Sequence, residues 1–328
     1  MSSGPASFVP PRSEAPTGLR ARRSPLFGLF VSPSMADLDD LWPIVGAAER
    51  AGVDLVTIQD HPYNPEFLDT WTLLVAIAAR SERIRVMPNV LSLPLRPPAM
   101  LAKAAATLEL ISGGRLELGL GAGASSDGIE SLGGKRLSPS EAVAALEEAL
   151  VVIRAMLGSD HDRAARLVSV DGRWYRLRDA QPGPRVGRPV PIWLGAMGPR
   201  MLRLTGAHAD GWSVSRPYVG PDRLPGFHRA IDAAARAAGR DPADIRRGYN
   251  VVGAIDDRAS EMRSVGRGIP VGPAVAWAAL LADTYERLGM DTLVFAPAGG
   301  DQVEQMRRFS DEVVPRARAA INREAPTQ

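Results

Sequence analysis

The run Leu26-Phe27-Gly28-Leu29-Phe30-Val31, the helical pattern over Asp37–Ala51 and the run Asp54-Leu55-Val56-Thr57-Ile58 form the stretch from which the architecture is read. Both short runs are nearly continuous in apolar residues instead of alternating, as strands buried on both faces of a parallel sheet require. The segment between them ends just before Gly52, where a left-handed cap is wanted. Strand, helix and strand make one βαβ unit. The unit recurs along the chain. Further strands are expected at Ile84–Met87, Arg115–Leu120, Val190–Leu194, Gly211–Val214, Tyr249–Ala254 and Thr292–Ala296. Helices are expected over Thr70–Ala79, Ala99–Ile111, Ser138–Leu157, Pro199–His208, Pro221–Ala238, Ala274–Leu288 and Gln302–Ala320. Eight strands, each followed by a helix, indicate an α/β fold of the TIM (β/α)8 type, a closed barrel with insertions at strand-to-helix connections. An open doubly wound sheet is the competing arrangement, and the count of eight favours closure.

At the edges of this pattern, residues 1–25 are rich in Pro, Ser and Arg without an apolar period and read as a disordered arm. A signal peptide would need an apolar run after its basic region, and the arm has none. Residues 26–321 then form one barrel domain and 322–328 a tail. Two long connections interrupt the alternation, Gly158–Pro189 and Asp256–Pro273. The first contains Asp171-Gly172 between β-type residues, a hairpin signal within Leu167–Leu177. Such connections are expected as lids or substrate walls; for the second, a packing excursion at the foot of the barrel is an equal alternative.

Composition removes several functions. With no cysteine, disulfides, thiolate metal sites and a Cys nucleophile are excluded, and four scattered histidines do not make a zinc site. A net charge of +2 gives no basic face for nucleic acid. No apolar stretch is long enough to span a bilayer. The expected location is cytoplasmic.

Chemistry in such a barrel sits where strands end. The second strand ends in Asp60-His61, in which the carboxylate is placed to orient an imidazole that exchanges a proton with a bound ring; a polar corner or helix cap is the bland alternative. After the third strand, Asn89 to Pro98 carries three prolines and forms a stiff loop across the mouth. The fourth strand runs into Gly119, Gly121, Ala122 and Gly123. These do not meet the glycine spacing of a dinucleotide fingerprint and are better read as space for a ligand. Gly195-Ala196-Met197-Gly198-Pro199-Arg200 follows the fifth strand and offers backbone amides at a helix start, with Arg200 as an added charge, for a phosphate. Trp71 and Trp212 are assigned to the core and Ser215 to the mouth.

These segments, in this order from Leu26 to about Arg318, resemble the luciferase-like monooxygenase superfamily. The resemblance is carried by Ala47–His61, Arg96–Gly123 with its Ile111-Ser112-Gly113-Gly114-Arg115 start, Pro191–Arg200 and Ala207–Trp212. It implies a flavin or deazaflavin held at the carboxyl ends of the strands. Asp60-His61 matches the deazaflavin branch, and Gly128–Arg136 is similar to a subgroup described as coenzyme F420-dependent. The resemblance further implies a non-prolyl cis peptide at Asn89–Val90 behind the ring, and a phosphate site matching Gly195–Arg200. Homodimers are usual in the family and are expected here.

The resulting expectation is an oxidoreductase moving hydride between coenzyme F420 and a small organic substrate. His61 acts as acid or base with Asp60 as its orienting partner, and no metal is required. Asn89, Val90 and Leu91 back the ring, Gly121, Ala122 and Gly123 line its edge, and Gly195 to Arg200 hold its phosphate end. FMN with oxygen as co-substrate is the alternative, and a non-catalytic flavin-binding barrel is a further one. A metal-dependent barrel hydrolase is disfavoured, because only His61 among the histidines ends a strand.

Overall fold

A computed structural model describes residues 23–158, 167–266 and 268–324. The expected arm therefore lies almost wholly outside the described residues, as does the end of the expected tail. In chain order, the first half holds β1 (Leu26–Val31), α1 (Leu38–Ala51), β2 (Leu55–Ile58), α2 (Thr70–Arg80), β3 (Arg85–Pro88) and β4 (Leu91–Ser92). It continues with α3 (Pro98–Ile111), β5 (Leu118–Gly121), α4 (Ser126–Ser131) and α5 (Pro139–Leu157). The second half holds β6 (Val168–Asp171), β7 (Arg176–Ala180), β8 (Ile192–Gly195), α6 (Pro199–His208), β9 (Gly211–Ser215) and α7 (Leu224–Ala237). The chain then forms β10 (Arg246–Ile255), β11 (Arg263–Val265), β12 (Ile269–Gly272), α8 (Ala274–Leu288), β13 (Thr292–Pro297), α9 (Gln302–Arg308) and α10 (Val314–Glu324).

The parallel order β3-β2-β1-β13-β10-β9-β8-β5-β4 runs around the barrel. It closes where Val86 of β3 bridges Leu116, donating to Arg115 O and accepting from Glu117 N, each at 3.0 Å. The expected eight-stranded α/β barrel is the observed fold. Local signals act as read: Ser138 and Glu141 form a reciprocal capping box at the start of α5, and Gly52 and Gly239 adopt φ of 73° and 71° after α1 and α7. The last helical segment is not continuous. A π-helical turn over Phe309–Val313 separates α9 from α10, because Pro315 has no N–H to offer the carbonyl of Asp311.

The interior is layered. At the foot, Leu55, Met87 and Trp193 form their own apolar cluster inside the ring. Glycines make room for them: a Cβ on Gly211 would stand 2.1 Å from the Trp193 ring, and one on Gly28 would stand 2.5 Å from Leu55. The Trp193 indole donates to Glu117 at 2.7 Å, and Glu117 also pairs with Arg85. One layer higher the inward positions turn polar, with Thr57, Asn89, Ser213 and Asn250. This layer plugs the interior at the foot; a charged recess of about 460 Å³ lies below it, beside Arg85, Glu117 and Trp193, and a separate cavity lies at the carboxyl ends of the strands.

Both insertions are present, and their placement sharpens the expectation. The Asp256–Pro273 connection leaves the end of β10 and folds into β11 and β12, with β12 pairing parallel to β10 at Ala254 and Ile255. Gly268 O accepts from Arg216 Nε at 3.3 Å, just past the end of β9, so this hairpin stands at the mouth. The Gly158–Pro189 connection leaves a helix, α5, instead of a strand. Its hairpin of β6 and β7 climbs back along α5 from the level of Met156, whose carbonyl accepts from Gly183 N, to Glu148 and Glu141 near the mouth. No helix among the described residues is long and apolar enough to cross a membrane.

Candidate active site at the barrel mouth

A cavity of about 410 Å³ lies above the polar layer, walled by the ends of β2, β4, β5, β8, β9 and β10. It brings together residues as far apart in sequence as Asp60 and Asn250. Ten of the candidate binding residues line it: Asn89, Val90, Leu91, Gly121, Ala122, Gly123, Gly195, Ala196, Met197 and Gly198, and so do Asp60 and His61.

Beneath the cavity an amide and hydroxyl network fixes the floor. Ser213 Oγ donates to Asn89 Oδ1 at 2.9 Å, Asn89 Nδ2 donates to Asn250 Oδ1 at 2.9 Å, and Asn250 Nδ2 donates to Ser215 Oγ at 3.0 Å. Each amide oxygen and nitrogen has an assigned partner, so the two asparagines hold one orientation. The Asn89–Val90 peptide is cis. The Val90 side chain faces two positions without a side chain: a Cβ on Gly121 would stand 2.8 Å from it and one on Gly195 would stand 3.0 Å away. These glycines leave flat backbone on the wall. Ser92 adds a hydroxyl buried beside the cavity with no hydrogen-bond partner, which a bound polar group would satisfy.

His61 and Asp60 sit side by side but do different things. His61 Nδ1 is 2.6 Å from the hydroxyl of Tyr63. The Asp60 carboxylate points elsewhere, accepting from Ser92 N at 2.8 Å and pairing with Arg96 Nη2 at 3.0 Å. Asp60 is therefore not placed as the orienting partner expected for the imidazole. Its two oxygens are drawn to the buried amide of Ser92 at the end of β4 and to the guanidinium of Arg96 beyond it, both far away in sequence. Arg96 also reaches Asp69 at 3.1 Å. Burial alone would raise the Asp69 carboxyl, but Thr72 and Arg96 hold it below its ordinary range. Burial, with the Asp60 charge, pushes the Tyr63 phenol above its ordinary value. The phenol thus stays protonated and able to donate.

The helix start after β8 is also divided. Gly198 caps α6 without a side-chain bond, leaving first-turn amides unpaired. Pro199 and Arg200 do not line the cavity. Arg200 turns to α5, where Nη1 donates to Ser140 O at 2.8 Å and Nη2 meets Glu147 at 3.3 Å. Any anion held here would rest on backbone amides rather than on Arg200. As expected, Trp212 is core, fully buried with its indole donating to Ala196 O at 2.8 Å. Trp71 packs against the core, and Ser215 reaches the mouth.

Sequence reasoning missed Tyr63, Ser92, Arg96, Ser213 and Asn250. A signal existed for one of them. Ser213 is polar two positions before Ser215 in an otherwise apolar strand, the mark of inward-facing side chains. A larger open groove between α6 and α7, about 850 Å³, lies outside the barrel; it shares Met197 with the mouth cavity but contains neither Asp60 nor His61 nor the polar floor.

Comparison with known proteins follows this geometry. A family model described as luciferase-like monooxygenase matches residues 23–314. The chain is 28% identical over 324 residues to an F420-dependent glucose-6-phosphate dehydrogenase of Amycolatopsis mediterranei, an alignment covering 85% of this chain and 95% of the relative. It is 39% identical over 194 residues to a phthiodiolone/phenolphthiodiolone dimycocerosates ketoreductase of Mycobacterium kansasii, covering 58% of this chain and 49% of the relative. That match thus spans about half the length of the ketoreductase. Among solved structures, an F420-dependent secondary alcohol dehydrogenase in complex with an F420-acetone adduct superposes with a TM-score of 0.78 at 19% identity, covering 90% of this chain and 99% of that one.

Proposed function

Because the chain belongs to the luciferase-like monooxygenase family, we propose that it is an oxidoreductase that binds the deazaflavin coenzyme F420 at the barrel mouth and acts on a small organic substrate. One observation carries the reading: His61 faces a cavity whose wall is flattened at Gly121 and Gly195 and offers the unpartnered Ser92 hydroxyl. A planar, heteroatom-rimmed ring fits those features. The relative aligned over 85% of the chain is named as F420-dependent, which favours the deazaflavin over FMN. The family's own name carries the second reading, monooxygenation with FMN.

In this proposal Val90 and Leu91 support the ring from behind, Ser92 Oγ bonds its polar rim, and the amides at the start of α6 receive the phosphate. When bound, the deazaflavin supplies hydride chemistry, whereas FMN also activates oxygen. His61 handles the proton. Tyr63 occupies Nδ1, so Nε2 is the nitrogen left for transfer at the reacting centre. Tyr63 is a positioning residue. Tyr63→Phe is expected to lower kcat by about tenfold and to move the acid or base limb of the pH profile, while coenzyme affinity stays within about twofold. A pH profile identical to that of the parent enzyme would remove this role.

Titration of the protein with F420 and with FMN, followed by ring fluorescence, tests the reading itself. F420 is expected to bind in the micromolar range or tighter, at least about tenfold better than FMN. Preference for FMN moves the assignment to the second reading, and binding of neither ring ends both.

A further inference from the structure

A second, smaller compartment adjoins the ring cavity. It encloses about 140 Å³ and shares Ala122 with the main cavity as a common wall. Its other walls come from Leu93 and Pro94 after β4, from Ala145 and Leu146 on α5, and from Trp174 and Tyr175 at the tip of the β6–β7 hairpin. The tip is held firmly. The Glu148 carboxylate on α5 accepts the backbone N–H groups of Arg173, Trp174 and Tyr175, and Gly172 N donates to Tyr175 O at 3.0 Å. A Cβ on Gly172 would stand 2.0 Å from the Glu148 carboxylate, so a larger residue would have to displace the group that clamps the tip. An excursion of this length, clamped by a carboxylate on a neighbouring helix, delivers two aromatic side chains to one spot beside the mouth.

One cation serves this compartment. Lys135 Nζ lies 5.2 Å from the centroid of the Trp174 ring. Arg173 covers Trp174 as well, at 4.7 Å, but it pairs with Glu141 at 3.1 Å. Among the described residues Lys135 forms no ion pair. Glu141, the carboxylate that feels its charge, is engaged by Ser138 and Arg173. The compartment is thus apolar in its walls, of a size near the roughly 150 Å³ that accommodates a benzene ring, and supplied with a single uncommitted ammonium.

We propose that this compartment is a substrate subsite for an organic monocarboxylate with a short aromatic or branched apolar body. It rests on the reading of the main cavity as the ring site. The carboxylate meets Lys135, the hydrocarbon part packs against Leu93, Leu146 and Trp174, and the remainder of the molecule extends past Ala122 towards the ring. A single positive charge and apolar walls favour a singly charged anion, because a phosphate dianion would bring charge into the compartment that nothing there balances.

The test uses the full chain and three probes of one shape: phenylacetate, phenylacetamide and phenyl phosphate. The readout is the Trp174 indole N–H resonance, assigned by its loss in Trp174→Phe. Phenylacetate is expected to shift it saturably, with a Kd at least about fivefold below those of the other two probes. Lys135 is solvent-exposed, so Lys135→Met leaves the fold intact, and it is expected to bring phenylacetate down to the level of the amide. Absence of a saturable shift with phenylacetate overturns the proposal, as does equal affinity for all three probes or an unchanged Kd in Lys135→Met. Tighter binding of phenyl phosphate overturns the carboxylate assignment. None of these readings needs a bound ring. A failure here therefore leaves the ring titration standing, and a failure of the ring titration is registered separately.

Discussion

His61→Ala is expected to lower kcat/KM by about 10²–10⁴-fold while ring affinity stays within a few-fold of the parent value. The first half follows from the cavity. Among the described residues lining it, His61 is the one imidazole, a side chain able both to give and to take a proton. Removing it takes away the group proposed to exchange a proton at the reacting centre. The second half follows from the walls. The surfaces assigned to the ring are the Val90 and Leu91 support, the glycines at 121 and 195 and the Ser92 hydroxyl, and the substitution touches none of them. Steady-state rates and ring-fluorescence titration on one preparation separate the two. Turnover at the parent rate would eliminate the acid–base role; loss of ring binding would mean that the imidazole is a wall of the ring site instead. Tyr63→Phe is expected to have a smaller effect, because it leaves the imidazole in place and removes only the bond that orients it.

Asp60→Ala is expected to cost about 2–4 kcal/mol of folding stability, visible as a lower urea midpoint at unchanged slope. The Asp60 side chain is 1% exposed and answers two groups at once. Its loss leaves the Ser92 amide without an acceptor in the interior, worth about 1–3 kcal/mol. It also leaves Arg96, itself only 22% exposed, to Asp69 alone. That remaining partner keeps the loss below the full cost of stranding a buried charge. Asp60→Asn retains an acceptor for Ser92 N and is expected to lose about half as much. A midpoint within error of the parent for Asp60→Ala would show that the loop after β4 is held by other contacts.

The contrast between these two neighbours marks the limit of what sequence alone reveals here. The strand and helix pattern was legible because each unit is periodic within itself. β1, α6 and α8 begin and end where the apolar runs and the Gly-Pro signals place them. The strand expected over Arg115–Leu120 is registered as Leu118–Gly121, because Leu116 joins the ring only through its bridge to Val86. The convergence of the candidate residues on one cavity was equally legible, since strand ends in a barrel gather on one face. The roles of individual side chains were not. Asp60 finds its partners 32 and 36 residues away, and Arg200 is drawn to Ser140 and Glu147 on α5. Adjacency in the chain pairs Asp60 with His61 and Arg200 with a phosphate, and only the packing of other elements breaks those pairings. Tyr63 was hidden for the opposite reason. Two residues from His61, it lies in a turn whose geometry no period describes.

The climbing hairpin has a consequence for how such a barrel changes its preferences over time. Its two strands are rooted at the foot, on the far side from the chemistry, and its tip is anchored to α5. None of the segments proposed to support the ring belongs to it. Lengthening, shortening or replacing it alters what is presented beside the mouth without redrawing the floor. An exchange of residues 167–181 between homologous chains is therefore the most economical graft for redirecting selectivity, provided that the acceptor keeps a carboxylate at position 148.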